Sequence, residues 1–152
     1  MTDDLTVVAT VPVGAAEVIA AVLDPRSWWS AGIEGPTGAV GDEFVYRYAG
    51  LHFSRIRVTR IDLESRVEWL AVQNQITLVS EQSEWDGTTM SFTARPVDTG
   101  TELTFVHHGL SPAVECFDIC SQGWTHFIGT SLRALLVTGN GEPAPAATAY
   151  FP

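Results

Sequence analysis

Lysine is missing from this 152-residue chain; its eight basic residues are all arginine. That absence removes whole mechanisms. No Schiff-base lysine, no pyridoxal-phosphate anchor and no phosphate-loop lysine can be built. Charge of any sign is scarce, at 17% of residues against about 25% in ordinary globular chains. What charge there is leans acidic, to a formal net of −10. An acidic chain lacks the clustered cations that displace counterions from nucleic acid, and it is repelled by an anionic membrane surface. No apolar run approaches the roughly 18 residues of a membrane span. The opening MTDDLTVVAT has acids where an export signal needs bases, so a cytoplasmic protein is expected.

Cysteine is equally sparse. Cys116 and Cys120 stand four residues apart in a segment that reads as helix, a spacing that suits disulfide geometry poorly and fits free thiols in a reducing compartment. No second ligand pair follows at zinc-binding spacing, and Glu115 and Asp118 flank Cys116 and disfavour its thiolate. G-x-S-x-G, H-E-x-x-H and G-x-G-x-x-G do not occur either. The expectation is therefore no catalytic residue, no cofactor and no metal.

What is present is apolar: 45% of the chain is hydrophobic, enough at this length for one domain with its own core. Leu5 to Val11 alternates as a strand and is ended by Pro12 and Gly14. Ala15 to Leu23 has helical spacing, and a second short helix is expected to carry Ser27, Trp28 and Trp29. From Glu43 the period becomes two, with Phe44, Tyr46 and Tyr48 sharing a face. Ser54, Ile56 and Val58 follow, then Val67, Trp69 and Ala71, then Met90, Phe92 and Ala94, then Leu103, Phe105 and His107. The turns between them are short, so the pattern predicts an antiparallel meander with one buried face. Ser111-Pro112 with Glu115 reads as a helix start, and the helix runs to Thr138 with Phe117, Cys120, Trp124, Phe127, Ile128, Ser131 and Leu135 on one stripe. Gly123 and Gly129 inside it are expected to mark close packing on the sheet or a bend. The fold class is thus α+β: a curved antiparallel sheet of about six or seven strands around a long C-terminal helix. Residues 1–141 form the domain, and 142–152 are expected to be a flexible Pro/Ala-rich tail.

The order of elements resembles the helix-grip fold of the START-like or SRPBCC superfamily, in the branch related to the activator of heat-shock-protein-90 ATPase. The resemblance rests on Trp28-Trp29, GDEF at 41–44, EWDGT at 84–88, TELTFVHHGL at 101–110 and the segment from Cys116 to Pro143. It implies a hydrophobic cavity between sheet and helix, used in that superfamily for lipids, polyketides or other apolar molecules, with cyclases and dehydratases among its members. The eukaryotic namesake binds a chaperone. Fold alone does not choose among these.

The inward strand positions and the helix stripe together supply Trp28, Phe44, Tyr46, Tyr48, Ile56, Trp69, Met90, Phe92, Phe105, Trp124 and Phe127, with Ser54, His107, Cys120 and Ser131 as sparse polar groups. Apolar walls with a few convergent polar groups describe a ligand pocket; the competing description is a solid core. His107 would orient a ligand or bond within the core. The Glu81, Glu84 and Asp86 loop reads as a solvated turn, and Arg47, Arg55, Arg57 and Arg66 read as outward-facing partners of acids such as Glu68. The expected function is binding of a small apolar molecule. The alternatives are a cyclase- or dehydratase-type enzyme in which His107 or Tyr46 moves a proton, and an interaction module that contacts a partner or a second copy through the outer sheet or Tyr150-Phe151.

Overall fold

Alternating burial along six segments produces six strands, paired antiparallel throughout in the order β1-β6-β5-β4-β3-β2. They are β1 (Leu5–Val11), β2 (Glu43–Tyr48), β3 (His52–Asp62), β4 (Arg66–Ile76), β5 (Thr89–Val97) and β6 (Gly100–His108). The computed structural model describes residues 3–48, 50–77 and 79–145, so the expected contact at Tyr150-Phe151 lies outside the described residues. Between β1 and β2 come α1 (Ala15–Val22), which buries Val18, Ile19 and Val22, and a single 3-10 turn, Pro25–Ser27. The C-terminal helical run is α2 (Phe117–His126), one wide π turn (Phe127–Leu132) and α3 (Arg133–Thr138). Among the described residues no helix is long and apolar enough to cross a membrane.

The helix starts later than its sequence suggests. Ser111 does not cap it; residues 111–116 form turns and bends, with Val114 N–H on Ser111 O and Phe117 N–H on Val114 O. The Glu115 and Cys116 amides ahead of α2 are instead taken by the Glu84 carboxylate at 2.8 and 3.0 Å. The loop before β5 thus satisfies donors that a helix start leaves orphaned. Glu115 returns the contact, accepting from the Ser80 and Glu81 amides at 3.0 and 2.9 Å, and those two bonds hold its pKa below the usual value. Asp86 accepts from Asn74 N–H at 2.6 Å. The expected solvated turn is a clasp.

That clasp is needed because β5 is shorter than its neighbour. β4 pairs with β5 only from Arg66 to Leu70, while its far half, to Ile76, pairs with β3 alone. The edge left open is covered by the loop: Ala71 N–H bonds Thr88 O, Gly87 N–H bonds Ala71 O, and Ile76 N–H bonds Gln82 O. A bulge near Val72 shifts the β3–β4 register, with Ile56 opposite Ala71 and Arg55 opposite Gln73. The extra residue reverses which positions face inward. Burial accordingly passes from Val67, Trp69 and Ala71 to Asn74 and Ile76.

Neither helix glycine marks an unusually close approach, while Gly129 falls within the π turn that interrupts the helix. A Cβ at Gly123 would meet nothing within 4 Å, and one at Gly129 would sit 3.7 Å from Val7 Cγ1. The close approach is at Gly141, where a Cβ would lie 2.2 Å from Ser27 O. Gly139, at φ 86°, ends α3, and Gly141 lets the chain return against the 3-10 turn. There Glu142 N–H bonds Ser131 Oγ at 2.7 Å, and Ser131 donates to Trp28 O at 2.7 Å. Ala144 then pairs with Trp29 and Ala31. The segment expected to be a loose tail therefore begins, at 142–145, as a bonded strap.

Candidate ligand cavity

Most of the interior is solid. Trp28 stacks on Trp69 with planes 5° apart, Phe92 meets both edge-on, and Phe105 packs on Phe92. Phe44, Ile56 and Met90 are likewise fully buried. Under the far halves of β3 and β4, beyond the end of β5, the packing stops. A cavity of about 590 Å³ opens there between the strand ends, the clasp loop, α2 and the strap.

Each wall has a structural cause. Tyr46 and Tyr48 project from β2, Leu51 and His52 from the following turn and β3, and Ile76 from β4 past the bulge. Trp85 is carried in by the clasp loop. It stacks on Trp124 of α2 with planes 13° apart and meets His52 and His107 edge-on. Trp29 closes the inner end, stacked on Tyr46 at 4.4 Å and tilted on Trp124 at 4.9 Å. Cys120, Gly123, Trp124 and Phe127 form the helical wall, and the strap from Glu142 to Pro145 forms the last. Gly123 leaves the cavity open where any larger side chain would enter it.

Of the residues the sequence predicts for the cavity, Tyr46, Tyr48, Cys120, Trp124 and Phe127 line it. Trp28, Phe44, Ile56, Trp69, Met90, Phe92 and Phe105 do not; they fill the core beside it. Ser54, His107 and Ser131 are also buried outside its wall. The correction is one of position along the sheet: period-two alternation reports which face is inward, not how far along that face the protein's own rings reach. Trp29, His52, Ile76, Trp85 and the strap line the cavity without having been predicted to. For His52 a signal existed, since it lies two residues before Ser54 on the inward face. For Ile76 the bulge hid it.

His107 is not among the residues lining the cavity, and its ring bonds two side chains rather than a backbone carbonyl. Trp124 Nε1–H donates to its Nδ1 at 3.0 Å, which leaves the proton on Nε2, 2.8 Å from Thr88 Oγ1. Thr88 in turn donates to Trp85 O at 2.6 Å. One imidazole thus ties together the two indole-bearing walls. Burial, followed by the nearby His108 and His52, pushes its pKa down to about 3, so it stays neutral and keeps this tautomer. His108 points away, bonded to Ser91 at 3.0 Å.

His52 is half-buried, with its ring forming part of the cavity wall. Its Nε2 lies 2.8 Å from Ser54 Oγ and 3.0 Å from Asn74 Oδ1, and Ser54 also donates to Asn74. With the Nε2 proton directed to the amide oxygen, Nδ1 remains a lone-pair acceptor. Desolvation lowers its pKa to about 4, against the opposing Asn74 bond. Burial raises the Tyr46 phenol well above its ordinary value. Cys120 is raised by giving its hydrogen bond to Cys116 and by burial, while the same bond lowers Cys116. Tyr46, His52 and Cys120 are therefore held in their neutral forms at pH 7. Among the described residues no group of three or more potential metal-ligating side chains occurs.

A curved antiparallel sheet gripping a C-terminal helix, with a cavity at one end between them, defines a helix-grip protein of the START-like class. The chain belongs to the family of activator of Hsp90 ATPase homolog 1-like proteins, whose model matches residues 14–137. Solved structures agree on the fold. The Aha1 dimer from Colwellia psychrerythraea is 23% identical with a TM-score of 0.72, covering 91% of this chain and 98% of that one. DynU16, from the dynemicin biosynthetic locus, is 21% identical at a TM-score of 0.67; 93% of this chain aligns, over 49% of DynU16. The protein SSP2350 from Staphylococcus saprophyticus is 16% identical at 0.67, covering 94% and 98%. No curated protein matches the sequence.

Proposed function

We propose that this protein binds a small apolar molecule in the end cavity, in the reducing setting of the cytoplasm, and acts by binding rather than by catalysis. The observation that carries the reading is the cavity itself, about 590 Å³ and walled mainly by aromatic and aliphatic side chains. That volume falls within the roughly 300–1,000 Å³ of small-molecule sites. Burial of the guest's apolar surface supplies the affinity, at about 25 cal/mol per Å² before ordering costs. DynU16, a neighbour in fold, comes from a biosynthetic locus, which is compatible with a small-molecule ligand.

The pKa directions weigh against the cyclase or dehydratase alternative. A proton-transfer pair works best with one group poised near the operating pH, whereas His52 is pushed down to about 4 and Tyr46 and Cys120 are pushed up. A chaperone-related interaction module would leave the cavity unused. A homodimer is a separate reading that is compatible with ligand binding; it is supported by the Colwellia Aha1 neighbour, itself a dimer.

The test is a titration with the uncharged fluorescent probe N-phenyl-1-naphthylamine. Saturable one-to-one binding is expected, weakened at least about tenfold in Gly123→Phe, whose new ring occupies the cavity. Non-saturable binding, or a folded Gly123→Phe variant that binds like the parent, would refute the reading.

A further inference from the structure

The geometry points to a lipophilic organic cation as the cavity's ligand: a planar or compact apolar body bearing a quaternary or protonated amine. This inference rests on the binding function proposed above and narrows it to one class of guest.

Three independent features converge. First, the walls present six aromatic side chains, Trp29, Tyr46, Tyr48, Trp85, Trp124 and Phe127. Trp85 stacks on Trp124 and Trp29 on Tyr46, and such electron-rich ring clusters attract ammonium groups through the negative quadrupole potential of their faces. Second, none of the eight arginines is among the lining residues, and the one acidic side chain there is Glu142. Its backbone is fixed at the rim, because its N–H is bonded to Ser131 Oγ, which donates in turn to Trp28 O, while its side chain is exposed. Third, His52 brings a neutral imidazole with a free lone pair, and the whole chain carries −10. Both favour a cation in the cavity and steer one toward it.

A carboxylate ligand meets the reverse of each feature. It would be desolvated without a cation to pair with, next to Glu142 and against ring faces of the wrong sign. His126, on the α2 side of the cavity, lies edge-on to Phe127. The experiment is set at pH 8, above the ordinary imidazole range.

Calorimetric titration with three ligands sharing one naphthylmethyl body separates the possibilities: the trimethylammonium salt, the alcohol and the carboxylate. The ammonium compound is expected to bind at least about tenfold more tightly than the carboxylate, with the alcohol between them. Glu142→Gln is expected to cut the ammonium-to-carboxylate ratio by about threefold. A carboxylate that binds as well as or better than the ammonium compound overturns the inference while leaving the apolar-ligand reading intact. If none of the three binds and N-phenyl-1-naphthylamine also fails, both readings fall together. An unchanged ratio in Glu142→Gln contradicts the part given to that carboxylate and assigns the preference to the rings.

Discussion

Glycine shows most directly how one residue type does opposite jobs here. Gly123 sits in an ordinary helical turn with open space where its Cβ would be, so its cost to the helix is offset by nothing in the packing. Gly141 has the Ser27 carbonyl in that place, 2.2 Å away, and backbone cannot step aside as a flexible side chain can. Gly123→Ala is therefore expected to raise stability by about 0.5–1 kcal/mol. Gly141→Ala should lower it by about 1–3 kcal/mol through enforced displacement. Urea midpoints of the two variants check this; equal shifts of the same sign would contradict it. The retention of a helix-weakening residue at 123 makes sense if volume is kept there for a guest. At this scale the sequence was only half legible. It marked Trp28-Trp29 as important but not which indole faces the cavity, since adjacent residues in a turn differ by a rotation that only the 3-10 geometry decides.

At the scale of elements, β3 and β6 each bring an imidazole to the cavity end of the sheet, and the fold keeps both neutral. Unfolded, a histidine protonates near 6.5; folded, His52 holds out to about 4 and His107 to about 3. Between those values the unfolded chain binds more protons, so stability present above pH 6.5 is lost as pH falls. The loss approaches about 1.4 kcal/mol per pH unit for each fully buried group. His107 meets that condition, while the half-buried His52 contributes less. Urea midpoints measured from pH 7.5 to 4.5 should fall steadily below 6.5, and His107→Gln should remove about one proton from the slope. A flat profile down to pH 5 would contradict the buried neutral assignment. The elements themselves were largely readable, because period-two and 3.6-residue patterns are local. Two features were not. The bulge near Val72 reverses the inward parity of β4, and the start of α2 is set by Glu84, more than thirty residues away in sequence.

For the whole molecule, the sequence posed a solid core against an open pocket, and the structure contains both. The tryptophan and phenylalanine cluster fills one half, and the cavity occupies the other, where β5 ends and a loop takes over the edge of β4. Sequence periodicity could supply the inward-facing inventory but not the division, because that depends on strand lengths, on a loop clasped by three carboxylates, and on a strap beginning at Glu142. His107 illustrates the outcome: a residue that looked like a ligand contact instead positions Trp124 and the loop bearing Trp85.

The five tryptophans fall on both sides of this division and report on it directly. In a titration with N-phenyl-1-naphthylamine followed through the indole N–H resonances, the signals of Trp29, Trp85 and Trp124 should shift with one common saturating curve. Those of Trp28 and Trp69, packed in the core, should stay nearly still. Uniform movement of all five, or a saturated probe that leaves the three cavity indoles unmoved, would contradict a guest bound at this end of the fold.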